Sequence, residues 1–267
     1  LDKERLDIFL VRKGHFQSRE KARAAIIAGA VHVNGIKAER PSHPASDEHI
    51  IEIRENVHPY VSRGGLKLHK AIEVFNISLK DRVCIDIGAS TGGFTHCMLK
   101  NGAALVYAVD VGKDQLAKEL REDKRVVSME STDIRTLDAS MLNATLSFGS
   151  VDVSFISLKK VLPHAKKLFS GPFEMVCLIK PQFEAGKGKI GKNGVVKDKK
   201  VHHEVLTGIT DFCHEEVFFI KGLDFSPIKG PEGNIEYLLH LSSHEALIKR
   251  EECSSIIKKT VEEAFKT

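Results

Sequence analysis

The chain has 267 residues, 42% of them hydrophobic, and a formal net charge of +4. That length suits two unequal domains better than one, and the apolar fraction can build a core without disulfide or metal staples. No run approaches the ~18–20 uncharged apolar residues that span a bilayer, and the opening LDKERLD carries both signs of charge, unlike a secretion signal; a cytoplasmic protein is expected.

Residues 4–14 (ERLDIFLVRKG) place Leu6, Phe9, Leu10 and Lys13 at helical spacing, with Gly14 as the stop. A second helix is expected from Ser18, as N-cap, to Gly29. VHVNGIKA alternates and turns at Asn34-Gly35, a hairpin signal. A loop with Pro41 and Pro44 leads to HIIEIRE, which alternates again as a strand. The sequence thus predicts a small α+β unit over 1–58 and a linker at 59–61.

From residue 62 the pattern changes. GGLKLHKAIEVF reads as a helix, RVCIDIG as a buried strand and GGFTHCMLKNG as a helix closed by Gly102. ALVYAVDVG (strand), KDQLAKELR (helix), RVVSME (strand), LSFGSVDVSF (strand), a helix over 157–169, FEMVCLIKP (strand) and a helix over 198–214 follow. VFFIKGLDF and NIEYLLHLS are two consecutive strands. Alternating strands and helices predict a doubly wound α/β sheet over 62–245, and the consecutive pair predicts an antiparallel addition at one edge. Residues 246–267 read as an amphipathic C-terminal helix. Lys187–Lys200, rich in lysine and glycine, reads as a mobile loop. The five cysteines are scattered singly and complete no zinc spacing, so they read as buried small hydrophobes and no metal is expected.

IDIGASTGGF puts Asp86, Gly88, Ala89, Ser90, Gly92, Gly93 and Phe94 at a strand-to-helix turn. Ligands of such sheets sit beyond the carboxyl ends of the strands, where glycine lets backbone come close. The spacing is G-x-x-x-G-G rather than the G-x-G-x-x-G of dinucleotide sites. Asp86 would repel a pyrophosphate but suits the ammonium of a methionine moiety. Asp110 ends the next strand, where an acidic residue meets ribose hydroxyls, and Asp133 follows the strand after that, within reach of an adenine amino group.

Four further polar residues stand where an apolar element should end or stay apolar. Lys67 lies in the opening helix, Asp152 and Lys180 end strands, and Glu236 lies in the late strand. Methyl transfer to a hydroxyl needs the oxygen aligned with a sulfonium and its proton removed. The sequence supports Lys180 as proton acceptor, with desolvation and the nearby ammonium of Lys67 making it a better base. Asp152 and Glu236 would fix the lysines and the hydroxyl.

These segments resemble a known family. RLDIFLVRKGHFQSREKARAAIIAGAVHVNG resembles the S4 RNA-binding domain, and SRGGLKL, DIGASTGGFTHCML, VDVG, VDVSFISL, LIKPQFE and GNIEYLLHL resemble the FtsJ-like methyltransferase domain. The combination resembles the TlyA family, which carries both the haemolysin name and that of a ribosomal RNA (cytidine-2′-O)-methyltransferase. The resemblance implies a Rossmann-like methyltransferase sheet and a Lys-Asp-Lys-Glu tetrad at Lys67, Asp152, Lys180 and Glu236. It also implies S-adenosyl-L-methionine near Gly88, Asp110 and Asp133, with ribosomal RNA or a ribosomal subunit as partner. Relatives can carry a tryptophan in the linker ahead of SRGG, where this chain has Tyr60.

Residues 1–40 hold nine basic residues against five acidic ones. Arg5, Arg19, Lys21 and Arg23, beside the turn at Asn34, form the expected RNA face, reading phosphates and shape rather than bases. Two other classes of function remain open at this point: a non-catalytic RNA-binding assembly factor with a vestigial fold, and a membrane-lytic haemolysin.

Overall fold

The structure, a computed structural model, describes residues 3–53, 58–191, 194–230 and 232–266. It divides into two compact units, Leu1–Arg63 and Gly64–Thr267.

In the first unit β1 (Glu4–Arg5), α1 (Leu6–Arg12), α2 (Arg19–Ala28), β2 (Val31–Val33), β3 (Ile36–Lys37), β4 (Pro44–Ala45) and β5 (Ile51–Ile53) enclose one core. Ser18 caps α2 by accepting from the Lys21 amide, and Gly29 ends it in the left-handed region at φ 81°. Asn34 and Gly35 both have positive φ, 52° and 77°, as a two-residue hairpin turn requires. Leu6, Phe9, Leu10, Ile26, Val31 and Val33 are buried together. The pairing of β1 with β4, Glu4 opposite Ala45 and Arg5 opposite Pro44, departs from the helix expected to begin at residue 4 and the loop expected at Pro44. Both strands have two residues, and proline is tolerated there because so short an edge asks for few N–H donors.

The second unit contains α3 (Gly64–Val74), β6 (Val83–Ile87), α4 (Gly93–Lys100), β7 (Leu105–Val109), α5 (Lys118–Arg121), β8 (Val126–Met129), β9 (Phe148–Val151), α6 (Leu158–Lys167), β10 (Glu174–Ile179), α7 (Pro181–Glu184), α8 (Lys199–Glu215), β11 (Phe219–Phe225), β12 (Tyr237–Ser242) and α9 (Cys253–Ala264). Its seven strands run in the order β11-β12-β10-β9-β6-β7-β8. β12 is antiparallel to both neighbours and the remaining pairings are parallel, so the expected antiparallel addition occupies one edge. β6 pairs with β7 on one side and β9 on the other, which makes the β6/β9 boundary the point where strand order reverses and a ligand cleft opens.

Several elements differ from the sequence reading. The helix expected over 113–121 shrinks to α5: Asp114 has φ 55°, and the Glu130 carboxylate accepts the amides of Gln115 and Leu116 at 2.6 and 3.0 Å, holding them as a loop. β9 ends at Val151, leaving Asp152 just beyond it. Glu236 immediately precedes β12 rather than lying inside it. The C-terminal helix is confined to α9, whose Cys253, Ile257, Val261 and Ala264 join the main core. All five cysteines are buried. Among the described residues no helix is long and apolar enough to cross a membrane.

Candidate active site

The turn after β6 is shaped by backbone that side chains would obstruct. Gly88 has φ 85°, and a Cβ there would stand 2.5 Å from the carbonyl oxygen of Asp152. Only glycine lets the exits of β6 and β9 approach this closely. Gly92, at φ 94°, caps α4 in the same left-handed region.

A cavity of about 1070 Å³ opens over this turn. Among the expected cofactor residues, Gly88, Ser90, Asp110 and Asp133 line it; Ala89, Gly92, Gly93 and Phe94 lie behind the lining, all buried. Asp110 reaches across from β7, its two oxygens accepting the amides of Ser90 at 2.8 Å and Gly112 at 2.7 Å. Asp133 accepts the backbone amide of Arg135 and both Nε and Nη2 of its guanidinium, which hold the carboxyl down to about 2.

Asp86 departs from the expected contact with a methionine ammonium. It is wholly buried and absent from the lining; its oxygens accept from the Thr95 amide and hydroxyl and from the Ser150 hydroxyl, at 2.9, 2.7 and 2.8 Å. Burial pushes its carboxyl up to about 6 against the pull of those three bonds. Its visible role is to fasten β6 to α4 and β9.

Lys67, Asp152, Lys180 and Glu236 converge. Lys67 Nζ stands 2.6 Å from Glu236 Oε2 and 3.8 Å from Asp152 Oδ2, and Lys180 Nζ stands 2.6 Å from Asp152 Oδ1. Charges therefore alternate along a row, Glu236, Lys67, Asp152, Lys180, and Asp152 stands between the two ammonium groups, a separation the sequence reading did not include. Burial pushes the Asp152 carboxyl up, but the Lys67 and Lys180 ammoniums outweigh it and the net direction is down. For Glu236, 1% exposed, burial prevails with help from the Asp152 charge, and the carboxyl is raised.

Three neighbours of the row were not singled out in the sequence. Ser154 accepts from Lys180 Nζ at 3.0 Å. Phe155 is 92% exposed at φ 64° and lines the cavity, its ring 5.0 Å from that of Phe183. A large exposed aromatic held in a left-handed conformation is strained and wasteful unless something packs on it. Its only sequence signal is a phenylalanine three residues past a polar strand end.

In the first unit, Arg5 and Arg19 meet on the buried Asp7 carboxylate, each at 3.0 Å, while their own side chains remain 47% and 55% exposed. Burial raises the Asp7 carboxyl, yet its bonds to Arg5 and Arg19 bring it down overall. Lys21 donates to Gln17, Arg23 is exposed, and Asn34 spends its side-chain oxygen on the Ile50 amide, which makes it a turn-former first.

Of the segment over 187–200, expected to be a mobile loop, residues 192 and 193 lie outside the described residues, and parts of the rest are held. Lys189 pairs with Glu204, Val196 is buried, and α8 begins at Lys199.

Comparison with known proteins gives the chain's family. An S4 domain model matches residues 4–51, and an FtsJ-like methyltransferase model matches residues 60–243. The chain is 44% identical to hemolysin A of Brachyspira hyodysenteriae, covering 88% of this chain and 98% of the relative. It is 41% identical to the 16S/23S rRNA (cytidine-2′-O)-methyltransferase TlyA of Mycobacterium tuberculosis, covering 89% of each. A solved structure from Streptococcus thermophilus superimposes with a TM-score of 0.78 at 46% identity, over 99% of this chain and 96% of that one. A two-domain arrangement, a glycine turn under a deep cleft and relatives of this similarity along nearly the whole length place the chain in the TlyA family, an S4 domain followed by an FtsJ-like methyltransferase domain.

Proposed function

We propose that this protein is an S-adenosylmethionine-dependent methyltransferase acting on the ribose 2′-hydroxyl of a cytidine in ribosomal RNA. The observation that carries the reading is the alternating row Glu236, Lys67, Asp152, Lys180, of which Asp152 lines the same cavity as the glycine turn. Four charges held this far out of water are costly to bury unless used.

The cavity's chemistry fits the cofactor. Each Asp110 oxygen keeps a lone pair beyond its backbone bond, enough for a ribose diol, and Asp133 keeps acceptor capacity for an adenine amine. Val111 and Ile134 offer apolar surface for the base. Bound S-adenosylmethionine supplies a sulfonium methyl, the electrophile of the reaction.

The protein's own residues then have distinct tasks. Lys180 Nζ takes the proton of the hydroxyl. Asp152 and Ser154 fix the direction of its Nζ. Lys67, fixed by Glu236, supplies positive charge to the hydroxyl oxygen as the proton leaves. Phe155 offers a face for the nucleobase attached to that ribose. In the S4 unit, Arg5 and Arg19, aligned by Asp7, together with Lys21 and Arg23, hold RNA backbone. The name of the M. tuberculosis relative supports cytidine and the ribosomal target.

The direct test is incubation of purified protein with tritiated cofactor and ribosomal RNA, followed by mapping of the label. Methyl on a cytidine ribose is expected. Label confined to bases or protein would overturn the reading.

A further inference from the structure

The arm entering β12 carries a second buried polar side chain, two residues before Glu236. Asn234 is 2% exposed, and both ends of its carboxamide engage the lysine-rich segment: Oδ1 accepts the Val196 amide at 3.0 Å and Nδ2 donates to the Gly194 carbonyl at 2.9 Å. Val196 is gripped from its other side too. Its carbonyl lies 2.9 Å from His202 Nε2, and His202 Nδ1 lies 2.7 Å from the hydroxyl of Tyr237, the residue after Glu236. A carbonyl can only accept, so Nε2 carries the proton and Nδ1 accepts from the tyrosine. Burial favours that neutral imidazole by lowering its pKa. On the far side of the arm, the Gly230 amide donates to the Asn234 carbonyl at 2.9 Å, and a Cβ at Gly230 would stand 2.7 Å from Glu236 Oε1.

The lysine-rich segment and the arm that presents Glu236 are thereby one hydrogen-bonded unit. Lysines at 189, 197, 199 and 200 are what an RNA phosphate would meet along it, and Glu236 is what fixes Lys67. We propose that Asn234 is a positioning residue that ties the lysine-rich segment to the Glu236–Lys67 ion pair, so that RNA held on the segment sets the geometry of the tetrad. This rests on the methyl-transfer reading above. Asn234 itself touches neither cofactor cavity nor reacting atoms; its effect passes through Val196 on one side and the Glu236 arm on the other.

The test uses two substitutions in the full chain. Asn234→Ala removes both bonds. Asn234→Asp keeps the acceptor for Val196 but sets an anionic oxygen against the Gly194 carbonyl, and it is the informative variant if the alanine protein folds poorly. Steady-state transfer onto deproteinised ribosomal RNA, cofactor affinity by calorimetry and amide exchange at Val196 are measured together. Both variants are expected to lose at least about tenfold in kcat/KM for RNA, with KM raised and kcat lowered, while cofactor affinity stays within about twofold. Exchange at Val196 should accelerate in Asn234→Ala, which loses the acceptor, and stay near wild type in Asn234→Asp, which keeps it. Acidification should narrow the gap in RNA affinity between Asn234→Asp and wild type, because a protonated carboxyl again donates to Gly194. Wild-type kcat and KM despite faster exchange would make Asn234 an anchor of the fold alone and overturn the proposal. Cofactor affinity falling in step with kcat would overturn it equally, as general damage to the sheet edge. A wild-type protein that transfers no methyl would instead defeat the methyl-transfer reading, and RNA affinity with exchange would still decide the coupling.

Discussion

Ile179 sits opposite Tyr237 in the antiparallel ladder of β10 and β12, so the residue following the one and the residue preceding the other leave the sheet at the same edge. Those residues are Lys180 and Glu236. The single strand that runs against its neighbours is what brings Glu236 to the carboxyl end of the parallel strands, where the cofactor cavity opens.

Removing either lysine should separate binding from chemistry. Lys180→Ala is expected to lower kcat by roughly 10²–10⁴-fold, the range for loss of a general base, with cofactor affinity within about twofold of wild type. Lys67→Ala additionally strands the buried Glu236 carboxylate and should cost about 3–5 kcal/mol of stability. Combining Lys67→Met with Glu236→Gln should restore much of that stability without restoring transfer. Urea unfolding and methyl-transfer assays on the same preparations check both halves.

Gly88→Ala tests the cofactor turn. The new Cβ would fall 2.5 Å from the Asp152 carbonyl oxygen, and φ 85° is unfavourable for any L side chain. Cofactor binding by calorimetry should weaken by more than tenfold, roughly 1.4 kcal/mol or more, because the turn and the Asp152 backbone must move apart.

Asp86 should leave a mark on the pH dependence of stability. Its carboxyl titrates at about 6 in the folded protein against an ordinary value of 3.8. Between those values the native state binds the extra proton, so this contribution is fully present below the unfolded value and is lost as pH rises through about 6. A shift of this size corresponds to about 3 kcal/mol. Carboxyls that are depressed, such as Asp152 and Glu174, act in the opposite sense, so the measurable quantity is a difference. The stability of wild type relative to Asp86→Asn should decline as pH rises from about 4 to about 7, by urea unfolding. A flat difference would contradict the assignment.

Phe155→Ala should act on RNA alone. Loss of a stacking face costs ~1–3 kcal/mol per base, which predicts a fall of roughly five- to 150-fold in kcat/KM for RNA. Cofactor affinity and thermal stability should hold, since a residue 92% exposed contributes little to the core and alanine keeps the Cβ that its positive φ strains. Filter binding and steady-state kinetics distinguish the two effects.

Local chemistry was enough to read much of this protein from its sequence. Ser18, Gly29, Asn34 and Gly35 mark their helix ends and hairpin because capping and positive φ are decided within a few residues. Strand-helix alternation set the doubly wound sheet, and Gly88, Asp110 and Asp133 could be singled out because each follows a strand and strand ends gather in such a sheet. The expected convergence of Lys67, Asp152, Lys180 and Glu236 came from resemblance and from their position at element ends. The sequence carried no record that Asp152 would lie between the two lysines, since that order depends on side-chain packing across three strands and a helix.

Only the tertiary structure decided the rest. Asp86 turned inward because Thr95 and Ser150, nine and sixty-four residues away, offer it hydroxyls. The first half of the helix expected over 113–121 gave way because Glu130, just past β8, claims the amides of Gln115 and Leu116. The lysine-rich segment gained an anchor because Asn234 reaches it from forty residues downstream. Hydrogen bonds between distant residues form only once the chain has closed its loops, so they can override a local preference worth a few tenths of a kcal/mol per residue, about the scale of helix propensity, while leaving the periodic pattern that set the fold intact.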